Sequence, residues 1–257
     1  MHTKELPIAV VDSGVGGISV LRELVRLMPG ENYLYYGDSA NAPYGTKATA
    51  QVRELTLAVA DMLMERGIKA LVVACNTATA AAINALREKY PEQIIVGIEP
   101  ALKMAADRFP KGSIGVMATP VTLREEKFSH QAECFTGANL FRIPAPGLVE
   151  LIEQGKTDSQ ELREFLTRLL TPYTGKLDAL VLGCTHYPFV AKQIGEILGT
   201  QTLLLDGSAG TARQTRHLLE QAGLLLEAEG SVQIENSSAD PNILALSMKL
   251  LQEETHG

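Results

Sequence analysis

"ALVVACNTAT", Ala70 to Thr79, and "ALVLGCTHYP", Ala179 to Pro188, follow one plan: a short apolar run, a cysteine, then small hydroxyl-bearing residues. Runs this short and this rich in Val and Leu suit strands buried on both faces rather than helices. A disulfide, a metal site, two packing residues, or two halves of one catalytic device would each explain the pair. Both cysteines stand where a strand stops and a helix is expected to start. Unsatisfied N–H groups and the positive end of the helix dipole meet the side chain there, which predicts a thiol pKa lowered toward neutrality.

Apolar runs alternate with amphipathic segments along the rest of the chain. "IAVVD", "YLYYGD", "IIVGI", "SIGVMA", "NLFRIPA" and "TLLLD" read as further strands, and "ATAQVRELTLAVADMLMERG" and "SQELREFLTRLLTPY" as helices. This alternation implies βαβ units and parallel sheets covered on both faces. Strand positions also recur in the same order: Ile8 with Ile114, Cys75 with Cys184, and Glu99 with Asp206. The expected architecture is therefore an α/β fold of two pseudosymmetric domains. Each is a mostly parallel sheet flanked by helices, with its first strand and its cysteine strand central. The expected division is residues 1–98 plus 208–257 for the first domain and 99–207 for the second. The segment after Asp206, with its helix-like "GTARQTRHLLEQAG", then crosses back to the first domain. Ligands of open α/β sheets bind beyond the carboxyl ends of the strands. That puts the active site in the interdomain cleft, with Cys75 and Cys184 on opposite walls.

Composition narrows the partners. The 257 residues are 46% hydrophobic and 21% charged, with a formal net charge of −7. No basic run offers a surface for nucleic acid or for a membrane, and no apolar stretch approaches the ~20 residues that span a bilayer. The opening residues carry no secretory h-region, so a cytoplasmic protein is expected. Three cysteines are too few for a disulfide scaffold, and no C-x-x-C or H-x-x-x-H spacing suggests a metal. Cys134, in "QAECFTG", lacks the strand-end context and reads as a packing residue.

Other strand ends supply polar groups. "DSGVGG", Asp12 to Gly17, is neither a Rossmann fingerprint nor a P-loop. It reads as a glycine turn that packs a helix closely on a strand. Ser13, Asn76, Thr77, Thr119, Thr122 and Thr185 fall at expected helix starts. Singly they read as N-caps; together they form a cradle that binds a small carboxylate without arginine. Asp12 and Glu153 are candidates to assist one cysteine, and His186 the other. Each has an ordinary alternative: a turn cap, a residue of an amphipathic helix, and a structural histidine.

"VDSGVGG", "YYGDSANAPYG", "ACNTATA" and "LGCTHYP", in this order between Val11 and about Asp206, resemble the signatures of glutamate racemases in the aspartate/glutamate racemase family. The resemblance implies interconversion of L- and D-glutamate for peptidoglycan synthesis, without a cofactor or metal. Glutamate and a second copy of the chain in a homodimer are the expected partners. Carried over by motif, Cys75 and Cys184 are the acid/base pair. Asp12 and His186 are their auxiliaries, with Asp38 and Glu153 beside them. Substrate contacts fall on Ser13, Pro43, Tyr44, Gly45, Asn76, Thr77 and Thr185, with Thr119 and Thr122. Ser39 stands where many members have threonine and Ala118 where glycine is usual.

The chemistry suits the pattern. Racemisation takes a reluctant α-proton from one face and returns another to the opposite face. Two thiols of tuned pKa can exchange the roles of base and acid. An aspartate racemase is the nearest alternative. A cysteine hydrolase using Cys184 and His186 is another, although side chains two residues apart need not face each other. A non-catalytic solute-binding protein would be indifferent to loss of the cysteines.

Overall fold

In a computed structural model, residues 3–98, 101–124 and 137–252 are described. Glu99 and Cys134 lie outside them. The strands form two sheets in which every pairing is parallel. The first contains β1 (Ile8–Asp12), β2 (Asn32–Gly37), β3 (Ala70–Val73), β4 (Ile94–Gly97) and β9 (Ser231–Asn236), in the order β4-β3-β1-β2-β9. The second contains β5 (Ser113–Ala118), β6 (Asn139–Pro144), β7 (Ala179–Leu182) and β8 (Leu203–Asp206), in the order β6-β5-β7-β8.

Alternation of side chains gives each sheet two cores. Ile8, Val10, Ala70 and Val72 pack on one face of the first sheet, and Ala9, Val11, Leu71 and Val73 on the other. In the second sheet Leu180 and Leu182 face one core, and Ala179 and Val181 the other. Burial on both faces is why these strands are apolar throughout. The two sheets also share a register. Ile8 pairs with Ala70 as Ile114 pairs with Ala179, so the two apolar runs before the cysteines occupy equivalent central strands. Cys75 and Cys184 emerge at the same point past the carboxyl ends of β3 and β7.

Helices α1 (Ile18–Leu27), α2 (Thr49–Glu65) and α3 (Asn76–Lys89) belong to the first sheet. Around the second lie α4 (Leu102–Arg108), α5 (Pro120–Arg124), α6 (Leu148–Glu153), α7 (Gln160–Leu170) and α8 (Ala191–Leu198). Two later helices, α9 (Ser208–Gln221) and α10 (Pro241–Gln252), pack back against α1, bringing Ala212, Leu219 and Leu250 into the first sheet's core.

Two local expectations differ. The strand β9 has no counterpart among the apolar runs of the sequence. It is an edge strand whose "SVQIEN" is half exposed, so its polar residues hide the signal. Cys184, unlike Cys75, does not open a long helix. A 3₁₀ turn, Tyr187–Val190, separates it from α8.

Candidate active site

A cleft of about 580 Å³, counting its open mouth, lies between the carboxyl ends of the two sheets. Cys75 lines one wall and Cys184 the other, both buried and both free thiols. Ser13, Pro43, Tyr44, Gly45, Asn76 and Thr77 line it from the first half; Thr119, Thr185 and His186 line it from the second. Asp12, Asp38, Thr122 and Glu153 stand behind these groups and hold them. Tyr44 Oη donates to Asp38 Oδ2 at 2.7 Å, which fixes the phenol at the cleft wall.

Cys75 is the N-cap of α3, where its Sγ accepts the Ala78 N–H at 3.4 Å. The thiol donates to Ser13 Oγ at 3.7 Å. The helix start does not lower its pKa as expected. Burial is the largest influence, and the Asp12 carboxylate adds to it; together they outweigh the two hydrogen bonds and push the thiol up to about 12. Asp12 is itself buried, and burial raises its pKa against the pull of His186 and of its two donors. Those donors are Gly14 N–H to Oδ1 at 2.9 Å and Thr185 Oγ1–H to Oδ2 at 3.0 Å.

On the opposite wall Cys184 Sγ lies 3.7 Å from His186 Nδ1, so the two side chains do face each other. His186 Nε2 lies 2.7 Å from Glu153 Oε1. Burial opposes a charge on the imidazole, but the bonds and charges of Cys184 and Glu153 outweigh it and hold His186 well above its ordinary pKa. Burial likewise pushes the Glu153 carboxyl up, yet His186 and the Val15 N–H bring it below its usual value. Glu153 therefore partners His186 beside Cys184, and does not join Asp12 in assisting the same cysteine. Nothing about its helix signals this, because the contact joins residues 33 positions apart, on the helix after β6 and on the loop after β7.

Each carboxylate also reaches across the cleft. Asp12, from the first half, is bonded by Thr185; Glu153, from the second, accepts the Val15 N–H at 2.9 Å. Buried Ser19 adds a third crossing through its hydroxyl and Thr185 O at 2.9 Å. The glycine turn has a wider use than packing one helix on one strand. Gly17 does pack closely, since a Cβ there would lie 2.7 Å from Asp12 Cβ. Gly14 and Gly16 instead admit the other half: a Cβ at Gly14 would lie 1.9 Å from Glu153 Oε1, and one at Gly16 2.4 Å from His186 Nδ1.

Deeper in, the hydroxyls of Thr77, Thr119 and Thr122 form a triangle with separations of 3.0 to 3.4 Å. Three rotatable O–H donors suit a carboxylate. Nearby, buried Asn76 Oδ1 has no hydrogen-bond partner among the described residues. Such an acceptor fits an ammonium donor. Sequence reasoning missed Ala145, Pro146, Gly147, Val149 and Glu150 on the cleft wall. They follow β6, so the same strand-end rule that found the cysteines could have found them. Among the described residues, no group of three or more His, Cys, Asp and Glu side chains converges to hold a metal ion.

A family model described as Asp/Glu/Hydantoin racemase matches residues 8–215, which include both cysteine walls. This chain belongs to that racemase family. The racemase family includes close relatives of it. A curated glutamate racemase of Clostridium kluyveri is 47% identical over 257 residues, covering 98% of this chain and 100% of the relative. Among solved structures, a glutamate racemase isoform of Bacillus anthracis superposes with a TM-score of 0.88 at 29% identity, covering 98% of this chain and 96% of the other. A glutamate racemase of Francisella tularensis, crystallised with D-glutamate, gives 0.84 at 26% identity, again with 98% and 96% covered.

Proposed function

We propose that this racemase interconverts L- and D-glutamate with two cysteines as acid and base and with no cofactor. The observation that carries the reading is the pair of thiols on facing walls of one cleft, each with its own proton-holding partners. Glutamate as substrate is supported by the curated relatives. One substrate carboxylate takes the Thr77, Thr119 and Thr122 hydroxyls, and the ammonium takes Asn76 Oδ1. With the α-carbon between the thiols, the resemblance to glutamate racemases implies that Cys75 takes the α-proton of D-glutamate while Cys184 protonates the opposite face. For L-glutamate the roles reverse.

The pKa directions fit this division. A buried thiol pushed to about 12 stays protonated in the empty cleft. The substrate ammonium brings positive charge beside it and favours the thiolate. On the other side a protonated His186, held by Glu153, stabilises a Cys184 thiolate or returns its proton. Hydroxyls and amides fixed before the reaction stabilise the negative charge that develops on the substrate. The Cys184–His186 contact alone would suit a hydrolase, but that leaves Cys75 on the facing wall without work.

The reading extends to a two-domain division at residues 1–98 plus 208–257 and 99–207, a homodimer, and a cytoplasmic supplier of D-glutamate for peptidoglycan. Among the described residues no helix is long and apolar enough to cross a membrane.

Dialysed, chelator-treated protein incubated with L-glutamate and a reductant should lose its circular-dichroism signal toward zero. Aspartate should lose it far more slowly. Cys75→Ser and Cys184→Ser should each nearly abolish the change, because serine keeps the size but not the acidity. Activity that returns only with pyridoxal phosphate or a divalent metal, or that survives in both variants, would overturn the mechanism.

A further inference from the structure

Gly14 sits on the loop behind Cys75, yet the atoms nearest the space its missing side chain leaves belong to the opposite wall. A Cβ there would meet Glu153 Oε1 at 1.9 Å, Cδ at 2.8 Å and Oε2 at 3.3 Å. Backbone conformation does not demand glycine here, since Gly14 is absent from the positive-φ residues. Nor can the loop withdraw easily. Its Gly14 N–H donates to Asp12 Oδ1 at 2.9 Å, and Tyr35 Oη donates to Gly14 O at 2.6 Å. The loop is pinned on both sides, so in a contest for this space the flexible end of Glu153 must give way.

We propose that Gly14 is a positioning residue for the distant thiol: the space it leaves open seats the Glu153 carboxylate on Val15 N–H, and Glu153 then aims His186 at Cys184. The proposal rests on the two-thiol reading above and deepens it. One loop thereby serves both walls. Asp12 and Ser13 attend Cys75, and the next two residues fix the partner of Cys184. With Glu153 displaced, His186 loses one of the two groups that hold it protonated.

Racemisation rates cannot isolate one wall, because the equilibrium constant of a racemase is one and ties the two directions together. Irreversible elimination can. In a glutamate analogue with a leaving group on the β-carbon, the thiolate takes the α-proton. The Cα–H electron pair becomes a Cα=Cβ bond, and the leaving group departs with its own pair. Elimination from the L-form then reports Cys184, and from the D-form Cys75.

Gly14→Ala should lower L-form elimination by ~10²-fold, the order expected for a misplaced catalytic group, and D-form elimination by no more than about threefold. The double variant Gly14→Ala with Glu153→Asp, whose shorter side chain clears the new methyl, should recover L-form elimination by at least about tenfold. If Gly14→Ala proves unstable, recovery of its unfolding midpoint in the double variant places the clash at the same contact. Equal losses from both enantiomers, no loss from either, or no recovery in the double variant would overturn the proposal. A wild-type protein that racemises no glutamate would instead overturn the two-thiol reading on which it rests.

Discussion

Cys75 combines burial with a neighbouring carboxylate, and both disfavour the thiolate in the free protein. Its pKa moves from an ordinary 9.0 to about 12. Between those values the folded chain keeps a proton that the unfolded chain has released, so folding stability contributed by Cys75 is complete below pH 9 and falls as pH rises toward 12. At pH ~10.5 the loss amounts to about 2 kcal/mol. Urea unfolding at pH 8 and 10.5 should therefore show wild type losing about that much more than Cys75→Ala. Parallel losses would mean that burial does not hold the proton. The positions of Cys75, Cys184, Asn76, Thr77 and Thr185 were legible in the sequence, because strand ends in parallel sheets face the ligand. The partnerships of Glu153 and Thr185 were not. They join residues more than a hundred positions apart across the cleft, and no local pattern encodes such a crossing.

At the scale of elements, the strands were readable wherever both faces are buried. The edge strand β9 was not, since exposure relaxes its side chains toward polar ones. A buried ion pair adds to the core contacts and the β2–β9 pairing that dock the late segment. Lys69, just before β3, pairs with Glu31, just before β2, and both side chains are almost fully shielded from solvent. Lys69 Nζ also donates to Lys4 O at 2.6 Å and Leu224 O at 3.1 Å, and Glu31 Oε1 accepts the Leu226 N–H at 2.8 Å. The pair thus ties the first residues and the connection after α9 to the amino end of the sheet. Removing one partner leaves a buried charge alone, and Lys69→Met should cost about 3–5 kcal/mol in urea unfolding. Adding Glu31→Gln should regain part of it, because the stranded carboxylate is gone. A double variant no more stable than Lys69→Met would show that the lost backbone bonds, rather than the charge, set the cost.

Across the whole molecule the two sheets differ in how the chain builds them. The second is complete within residues 113–206, whereas the first needs β9 and the core residues of α9 and α10. A fragment spanning 101–206 should therefore unfold cooperatively on its own, by far-ultraviolet circular dichroism. A fragment spanning 3–98 should not do so until 208–252 is added. Independent folding of 3–98 would assign the late segment a lesser part. The same connectivity has a temporal side. During synthesis the earliest strands leave the ribosome with one face covered by α1 alone and the β2 edge unpaired, and roughly 140 further residues must follow Gly97 before β9 arrives. At the usual ~5–20 residues per second that is a wait on the order of 10 s. In the meantime the later half can finish folding, reversing the common order in which amino-terminal domains mature first. Nascent Ile8, Val10 and Val72 are then natural clients for a chaperone at the tunnel exit.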